Sequence, residues 1–297
     1  MTTSPSGGGA RRAITAANKQ KNIYIIGPQA SGKTTYLSAL ALIDYSKNKT
    51  HKLVTIKPLS AHAKELEDEG KNMWMSQRPL SPTDIPHNPH SLPDYNFLIE
   101  ISNTFLPTPT KIKLSVRDYA GEFFNDLVRR SNLPRLAQYL NYCLNDKAHG
   151  LLLILPKFLA TGDDDADSFY VDVLREIINE AKNKNILSKL RLAIVMSKCE
   201  RGELWPGRWE PERDLFKTHL PNTTEYLNKC RRIFHANIKF FALSSFGVLD
   251  IKDPRPNRYI LGRASAALND RNKWSPYGLL SPLYWLATGK KWQDNSF

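Results

Sequence analysis

The sequence predicts an α/β fold with a mainly parallel sheet, and three observations support this prediction. Apolar runs of strand length alternate with amphipathic segments of helix length along most of the 297 residues. One of these runs, residues 151–155, is apolar throughout, as in parallel strands that helices cover on both faces. The first run, residues 23–26, ends at a glycine and an amphipathic segment follows, which is the order of a strand, a loop and a helix.

Each element follows from its own pattern. Strands are predicted where short apolar or alternating runs occur, at 23–26, 53–56, 97–101, 112–116, 150–155, 190–196 and 238–243. Helices are predicted where apolar residues recur on one face, at 33–46, 61–75, 122–144 with an interruption near Pro134, after the acidic run 163–165, within a mixed region at 205–232, and at 280–288. Strands 97–101 and 112–116 flank the segment 107–110, which contains two prolines and predicts a hairpin that turns there.

Residues 79–93 are predicted to form a loop. Prolines recur through this segment, and they exclude a regular helix or a central strand. A loop of this length inside a compact enzyme is often functional.

Composition limits the classes of protein that remain. Charged residues make up 24% of the chain, as in ordinary soluble proteins, and no apolar run approaches the length of a membrane span. Three distant cysteines form neither a metal-ligand spacing nor a disulfide framework, so a cytoplasmic protein is expected. The net charge of +13 is spread along the chain without a nucleic-acid motif, so nucleic acid is an unlikely partner that stays open. Residues 1–20 are predicted to be a disordered basic tail and residues 21–297 a single enlarged domain.

A complete G-x-x-x-x-G-K-[ST] motif follows the first strand. Glycines let the backbone curl so that successive N–H groups face phosphate oxygens, and the next helix adds its positive end. Lys33 is expected to reach the β- and γ-phosphates, and the Thr34 hydroxyl to ligate Mg²⁺. The residues expected to contact the nucleotide here are Gly27, Gln29, Ala30, Ser31, Gly32, Lys33, Thr34 and Thr35.

Three further motifs follow later strands. Asp118 begins a D-x-x-G motif that ends at Gly121, where the carboxylate can hold Mg²⁺ through water and the glycine N–H can meet the γ-phosphate. SKCE contains Lys198 and Glu200 after the strand at 190–196, and ALSS contains Ser244 and Ser245 after the last strand. Ligands bind at such strand ends in open parallel sheets, although each motif alone also fits an ordinary polar loop.

The order GPQASGKT, DYAGE, SKCE and ALSS resembles the Ras-like (TRAFAC-class) P-loop GTPases. The resemblance covers roughly residues 22–290 in order of elements, and the chain looks most like bacterial GTPase-like proteins of multi-gene conflict or defence systems. It implies a three-layer P-loop NTPase fold with a mainly parallel sheet, one antiparallel edge hairpin and insertions. It also implies GTP or GDP and Mg²⁺ as ligands, and a protein effector or activator as a partner.

Carried over by resemblance, Lys198 and Glu200 match the base-reading lysine and aspartate of N-K-x-D, and the loop of Ser244 and Ser245 helps to hold the base. A carboxylate at Glu200 can accept hydrogen bonds from N1–H and the 2-amino group of guanine, a donor pair that adenine lacks. Ser197 replaces the usual Asn and Glu200 the usual Asp. Glu122 replaces a water-orienting Gln beside the catalytic residues Lys33 and Gly121, so slow hydrolysis is expected.

Further readings of the sequence stay open. Thr83, in the proline-rich loop, is a candidate Mg²⁺ ligand of the first switch or a solvated loop residue. Arg78 and Arg117 are considered as internal arginine fingers, although the alternation around Arg117 favours a solvated residue of an edge strand. The aromatic residues Trp205, Trp209, Phe216, Tyr284 and Trp285 are predicted to lie in the core rather than on a partner surface. An ATPase or kinase and a non-hydrolysing, nucleotide-bound scaffold are the alternative functions.

Overall fold

A computed structural model of the protein describes residues 21–42, 52–76, 93–103, 106–117, 122–131, 133–159, 165–261 and 265–292. Its strands are β1 (Lys21–Ile26), β2 (Lys52–Pro58), β3 (Asp94–Asn103), β4 (Leu106–Arg117), β5 (Ala148–Ile154), β6 (Arg191–Met196), β7 (Asn237–Ala242), β8 (Arg258–Leu261) and β9 (Ser265–Leu268). Seven of them form one sheet in the order β2-β3-β4-β1-β5-β6-β7, and β8 and β9 form a separate antiparallel pair.

The sheet is mostly parallel. Strand β1 runs parallel to both of its neighbours, β4 and β5, and the pairs β5–β6 and β6–β7 are parallel as well. Strand β3 is antiparallel to both β2 and β4. The predicted α/β fold with a mainly parallel sheet and an antiparallel hairpin is therefore confirmed, and β2 extends the hairpin outward.

Helices cover both faces of this sheet. They are α1 (Lys33–Leu42), α2 (Ala61–Ser76), α3 (Glu122–Arg129), α4 (Leu133–Cys143), α5 (Ala166–Asn183), α6 (Pro221–Phe234) and α7 (Ser281–Thr288). Short helical turns lie at Trp205–Trp209, Pro211–Phe216, Lys217–His219 and Arg271–Lys273. Helices α1, α2 and α7 pack on one face and α3 to α6 on the other, which gives three layers. Within the described part of the chain, no helix is both long and apolar enough to cross a membrane.

The core lies on both faces of the central strands because their side chains alternate. In β1, Ile23 and Ile25 belong to the cluster with α1 and α7, whereas Tyr24 and Ile26 belong to the cluster with α3 to α6. The same alternation holds in β5, where Leu152 and its neighbours are fully buried. This two-sided burial explains why these strands have almost no polar positions.

Two sequence predictions need correction in their details. The segment 107–110 does not form the turn of the hairpin but belongs to β4, which starts at Leu106. Strand β4 is not an edge strand, because it lies between β3 and β1, so the edge interpretation of Arg117 is wrong. The β8–β9 pair was not predicted at all. The predicted disordered tail, the proline-rich loop at 79–92 and Arg78 lie outside the described residues.

The N-terminus of α6 takes its cap from another helix. Helix α6 begins at Pro221 after Leu220, which has no side-chain oxygen to serve as a cap. Asp167 of α5 is buried and accepts hydrogen bonds from the backbone N–H groups of Asn222, at 2.7 Å, and Thr223, at 2.8 Å. These two groups are donors that the helix itself cannot satisfy. One carboxylate therefore joins the two helices of this layer.

Replacing Asp167 with alanine is expected to lower the free energy of unfolding by about 2–3 kcal/mol, since two backbone donors, of which that of Thr223 is buried, lose their acceptor. Asp167→Asn keeps one acceptor oxygen and is expected to cost less. Urea denaturation measures the loss, with Asp172→Ala as the matched control because Asp172 is an exposed residue of the same helix. Equal stability of the Asp167→Ala and Asp172→Ala variants would contradict the capping role.

Candidate functional site

The candidate site lies where the parallel strands end. The pairs Ile26–Leu153, Ile154–Val195 and Met196–Ala242 align the carboxyl ends of β1, β5, β6 and β7 along one edge of the sheet. The residues that continue from these ends therefore lie side by side. They include the G-x-x-x-x-G-K-T loop after β1, the SKCE motif after β6 and the ALSS motif after β7. The fold thus brings three of the four motifs to one edge, as open parallel sheets do at ligand sites.

The loop after β1 is closely packed against β5. A side-chain carbon added at Gly27 would lie only 2.7 Å from the carbonyl oxygen of Ile154, and 2.8 Å from Ser31 Oγ. Such distances are shorter than real contacts, so only glycine fits here. Within the loop, Ala30 and Gly32 have φ angles of 56° and 92°. Positive φ is unusual for alanine, and such strained backbone clusters at functional sites.

Lys33 lies at the start of α1 and its ammonium group points into its own loop. Lys33 Nζ donates hydrogen bonds to the carbonyl oxygens of Gly27, at 2.9 Å, and Pro28, at 3.0 Å. The side chain is almost fully buried. The loop therefore surrounds a positive charge near a helix N-terminus, which is an arrangement that attracts anions.

Ser31 supplies a second polar group inside the loop. Its hydroxyl is fully buried, and the described residues offer it no hydrogen-bond partner. An unsatisfied buried hydroxyl is costly, so it fits a site that a polar ligand completes. Gln29 and Ala30 lie exposed at the tip of the loop, and Thr34 and Thr35 are partly exposed in the first turn of α1. The predicted nucleotide-contacting residues therefore form one continuous loop and helix start.

Ser197 connects the SKCE motif to this loop. Its hydroxyl donates a 2.8 Å hydrogen bond to the carbonyl oxygen of Ser31, and both residues are buried. Lys198 follows with a φ of 60°, so a second strained residue sits at the site. Cys199 N donates a 3.0 Å backbone hydrogen bond to Leu243 O, which connects the same motif to the segment after β7.

Glu200 is the residue that the sequence assigned to the base, and the structure shows both of its oxygens engaged. Ser244 Oγ donates a 2.8 Å hydrogen bond to Oε2. Arg258 Nε lies 3.1 Å from Oε1, an ion-pair distance, but the geometry falls short of a hydrogen bond. Glu200 is only 2% exposed. Both oxygens of this carboxylate therefore contact protein groups.

The electrostatics of this corner are strongly cationic. Burial, together with the neighbouring charges of Arg201 and Arg258, lowers the pKa of Lys198 to about 8, although Glu200 acts in the opposite direction. Lys198 thus lies close enough to two arginines and one carboxylate to be affected by their charges. An anionic or electron-rich ligand would relieve this imbalance.

Ser245 lies in a loop that is in contact with a stacked pair of tryptophans. Trp274 donates a 2.9 Å hydrogen bond from its indole N–H to the carbonyl oxygen of Ser245, and it stacks on Trp74 with 4.5 Å between ring centroids. Trp74 belongs to α2 and donates in turn to Ser38 of α1 at 3.1 Å. The loop of Ser244 and Ser245 is therefore connected through Trp274 to α2, the helix that precedes the predicted first switch.

The remaining predicted residues bear on Mg²⁺. Asp118, Gly121 and Thr83 lie outside the described residues. Helix α3 begins at Glu122, the residue after Gly121. In the described segments no group of three or more His, Cys, Asp or Glu side chains is arranged to hold a metal. The donor set of a threonine hydroxyl and one carboxylate fits Mg²⁺, which binds few protein ligands and keeps phosphate and water oxygens.

The aromatic residues mostly follow the core prediction. Trp205, Phe216 and Trp285 are buried, and Tyr284 is partly buried. Trp209 is the exception at 53% exposure, and its ring lies 4.3 Å from the guanidinium carbon of Arg208. All three cysteines are buried and none of them forms a disulfide.

Sequence reasoning missed Arg258. It lies at the start of β8, far along the chain from the motif it contacts, and no motif surrounds it. The only available signal was the insertion between β7 and the last helix, whose length exceeds that of a simple connection.

Comparison with known proteins gave structural likenesses alone. No family model and no curated protein matches the chain. The GTP-bound GTPase-like domain of Saccharomyces cerevisiae Ski7 is similar with a TM-score of 0.42 and 16% identity, covering 90% of this chain and 51% of that one. The same domain bound to GDP and inorganic phosphate gives 0.41 and 17%, covering 85% and 48%.

A third likeness is to the signal recognition particle receptor SRb-GTP/SRX complex of Chaetomium thermophilum, with a TM-score of 0.41 and 14% identity. It covers 77% of this chain and 93% of that one. The chain spans about half the length of the Ski7 chains it matches.

Proposed function

We propose that the protein binds GTP with Mg²⁺, hydrolyses it slowly to GDP and acts as a nucleotide-dependent switch. One observation carries the proposal: the hydrogen bond from Ser197 Oγ to Ser31 O joins the SKCE motif to the phosphate loop around Lys33. The loop around Lys33 and the SKCE motif are thus neighbours along one edge of the sheet. A phosphate site beside a base site suits a nucleotide rather than a free phosphate.

Each group has a role in binding. The Lys33 ammonium neutralises phosphate charge, and the buried Ser31 hydroxyl can donate to a phosphate oxygen. Thr34 and Asp118 would hold Mg²⁺, which when bound neutralises charge that develops on the phosphates during transfer. Glu200 and the Ser244–Ser245 loop would meet the base.

Nucleotide identification tests the proposal directly. Protein purified without added nucleotide is denatured and the released material is separated by chromatography, and calorimetry then measures GTP affinity in the presence of Mg²⁺. GTP or GDP in the released material, together with measurable GTP affinity, supports the proposal. A folded protein without measurable affinity for GTP would refute it.

The remaining features of the proposal concern the switch. Residues 79–93 and 119–135 would change between the GTP and GDP states, and a protein effector or activator would read that change. We further propose that residues 21–297 act as a single domain in the cytoplasm. Membership of the bacterial conflict-system class stays a prediction from the sequence.

ATP is the second candidate ligand, and the Glu200–Arg258 contact favours considering it. A carboxylate that an arginine neutralises is a weaker acceptor for the guanine donors, so discrimination against adenine falls. Competition of ATP against a fluorescent GTP analogue separates the two. Displacement at lower concentrations of ATP than of GTP would contradict the guanine assignment.

Replacing Glu122 with glutamine is expected to speed single-turnover GTP hydrolysis by about tenfold. The residue directly follows Gly121, and a carboxylate there repels the γ-phosphate, whereas an amide orients water without that repulsion. Phosphate release is measured after a single loading with GTP, with Glu225→Gln, an exposed residue of α6, as the control. Unchanged or slower release in Glu122→Gln would contradict this role, and rapid release by the unmodified protein would rule out the scaffold alternative.

A further inference from the structure

Arg258 places a guanidinium group where a guanine edge is expected. Guanine offers its N1–H and 2-amino group from one N–C–N unit, so its reading edge is itself guanidine-like. Arg258 Nε lies 3.1 Å from Glu200 Oε1, and Ser244 holds the other oxygen of the carboxylate. The arginine therefore presents to Glu200 the same kind of donor that the base would present.

The burial of Glu200 makes the two occupants exclusive. The residue is only 2% exposed, so a base cannot contact its carboxylate while the surrounding groups stay in place. Ser244 is fixed because its hydroxyl also accepts a 2.9 Å hydrogen bond from Gly247 N. Of the two groups on the carboxylate, Arg258 is the one that can leave.

Three features make Arg258 displaceable. Its contact with Glu200 lacks hydrogen-bond geometry, whereas guanine can form well-aligned bonds. The charge of Lys198 lies close enough to repel the Arg258 guanidinium. The Arg258 side chain also keeps 14% of its surface exposed, so it borders solvent while it contacts Glu200.

The backbone around Arg258 is firmly anchored, so displacement concerns the side chain. The preceding residue, Asn257, is fully buried and exchanges two 2.8 Å hydrogen bonds with the backbone of Asp270. Asn257 N also donates to Gly247 O at 3.0 Å, which ties this strand to the loop of Ser244. The hydrogen bonds of Asn257 therefore fix the backbone position from which the Arg258 side chain reaches Glu200.

We propose that Arg258 is a specificity-determining residue that occupies the base-reading carboxylate until a guanine base displaces it. This inference rests on the proposed nucleotide binding. Guanine binding must first free Glu200, so the apparent affinity for GTP is reduced by the fraction of molecules in which Arg258 has left. Adenine does not use the carboxylate and is not subject to this reduction. Arg258 therefore narrows the preference for guanine over adenine.

The test compares Arg258→Met with Arg255→Met, since Arg255 is an exposed arginine of the same region that pairs with Asp253. Calorimetry with Mg²⁺ measures the affinities for GTP, ATP and ITP, a nucleotide that lacks the 2-amino group. We expect Arg258→Met to bind GTP about tenfold more tightly, which corresponds to an open fraction of about one tenth in the unmodified protein. ATP affinity is expected to stay the same, and Arg255→Met to match the unmodified protein.

Several outcomes would overturn the inference. Weaker GTP binding by Arg258→Met would mean that the arginine supports Glu200 rather than competing with the base. Equal changes for GTP and ATP would mean a structural effect. By contrast, one outcome supports the inference. If Arg258→Met gains more affinity for GTP than for ITP, the difference assigns the 2-amino contact to Glu200.

Two further variants guard against misfolding, because removal of Arg258 leaves a buried carboxylate without its counter-charge. Arg258→Gln keeps a donor for Glu200 and is expected to show a smaller gain in GTP affinity. The double variant Arg258→Met, Glu200→Gln restores neutrality and is expected to lose the gain, and retention of the gain would contradict the role of Glu200. Circular dichroism and thermal unfolding confirm the fold of each variant.

The outcomes also separate this inference from the proposed function. GTP binding by the unmodified protein with no gain in Arg258→Met overturns the inference alone. A folded protein that binds no GTP, with or without Arg258, overturns both. Measurable GTP binding only after replacement of Arg258 would support the role of Arg258 and would refute GTP binding by the unmodified protein.

Discussion

Replacing Lys33 with alanine is expected to reduce GTP affinity by at least about 100-fold. The Lys33 ammonium is held inside the phosphate loop by the carbonyl oxygens of Gly27 and Pro28, so it is already positioned for a phosphate. Charge-assisted hydrogen bonds to two phosphate groups contribute about 3–5 kcal/mol together, which converts to a loss of that size or more. Calorimetry with GTP and Mg²⁺ measures it.

The control for this variant is Lys189→Ala. Lys189 is exposed and precedes β6, at the opposite end of the strands from the loop. The Lys33→Ala variant is expected to keep its fold, because the loop carbonyls can turn to water. Tight GTP binding by folded Lys33→Ala protein would contradict the assignment of the loop itself.

Replacing Gly27 with alanine is expected to weaken GTP binding by about 10- to 100-fold and to destabilise the fold by about 1–3 kcal/mol. The added carbon would meet a backbone oxygen, Ile154 O, at 2.7 Å, and a backbone group cannot move aside as a flexible side chain can. The loop must therefore shift away from β5, which displaces Lys33 and Ser31 together.

Gly202→Ala provides a matched comparison. An added carbon at Gly202 meets no atom within 4 Å, so this change should affect neither affinity nor stability. Thermal unfolding and GTP calorimetry on both variants measure the difference. If Gly27→Ala binds GTP as well as Gly202→Ala does, the close approach of the loop to β5 is not needed for binding.

The sequence predicted the elements whose signal is local. Apolar runs located the seven strands of the main sheet, and the glycine, lysine and threonine pattern located the loop of Lys33, because each of these patterns encodes a backbone requirement over a few residues. The hairpin was correct, but its turn was placed at Pro107 and Pro109. Proline breaks a strand only where its missing N–H is needed, and these two prolines are accommodated within β4.

The contacts that the sequence could not predict are those between distant segments. Glu200 was assigned to the base from its position in SKCE, but Arg258 meets it from a separate hairpin. Asp167 caps a helix that begins more than fifty residues later. No local pattern of polarity distinguishes such residues from exposed ones, because their roles arise only once the sheet has brought the segments together.

The position of β1 in the sheet has a consequence for synthesis of the chain. Among the described strands, β1 pairs with β4 and β5, and Gly27 lies against Ile154 at the end of β5. A ribosome adds about 5–20 residues per second, so β5 is synthesised roughly 6–25 s after the loop of Lys33. Nucleotide cannot assist the early folding of the nascent chain. It can stabilise only chains in which β5 has already emerged, so a fragment that ends before Ile154 would carry the complete motif and still lack a binding site.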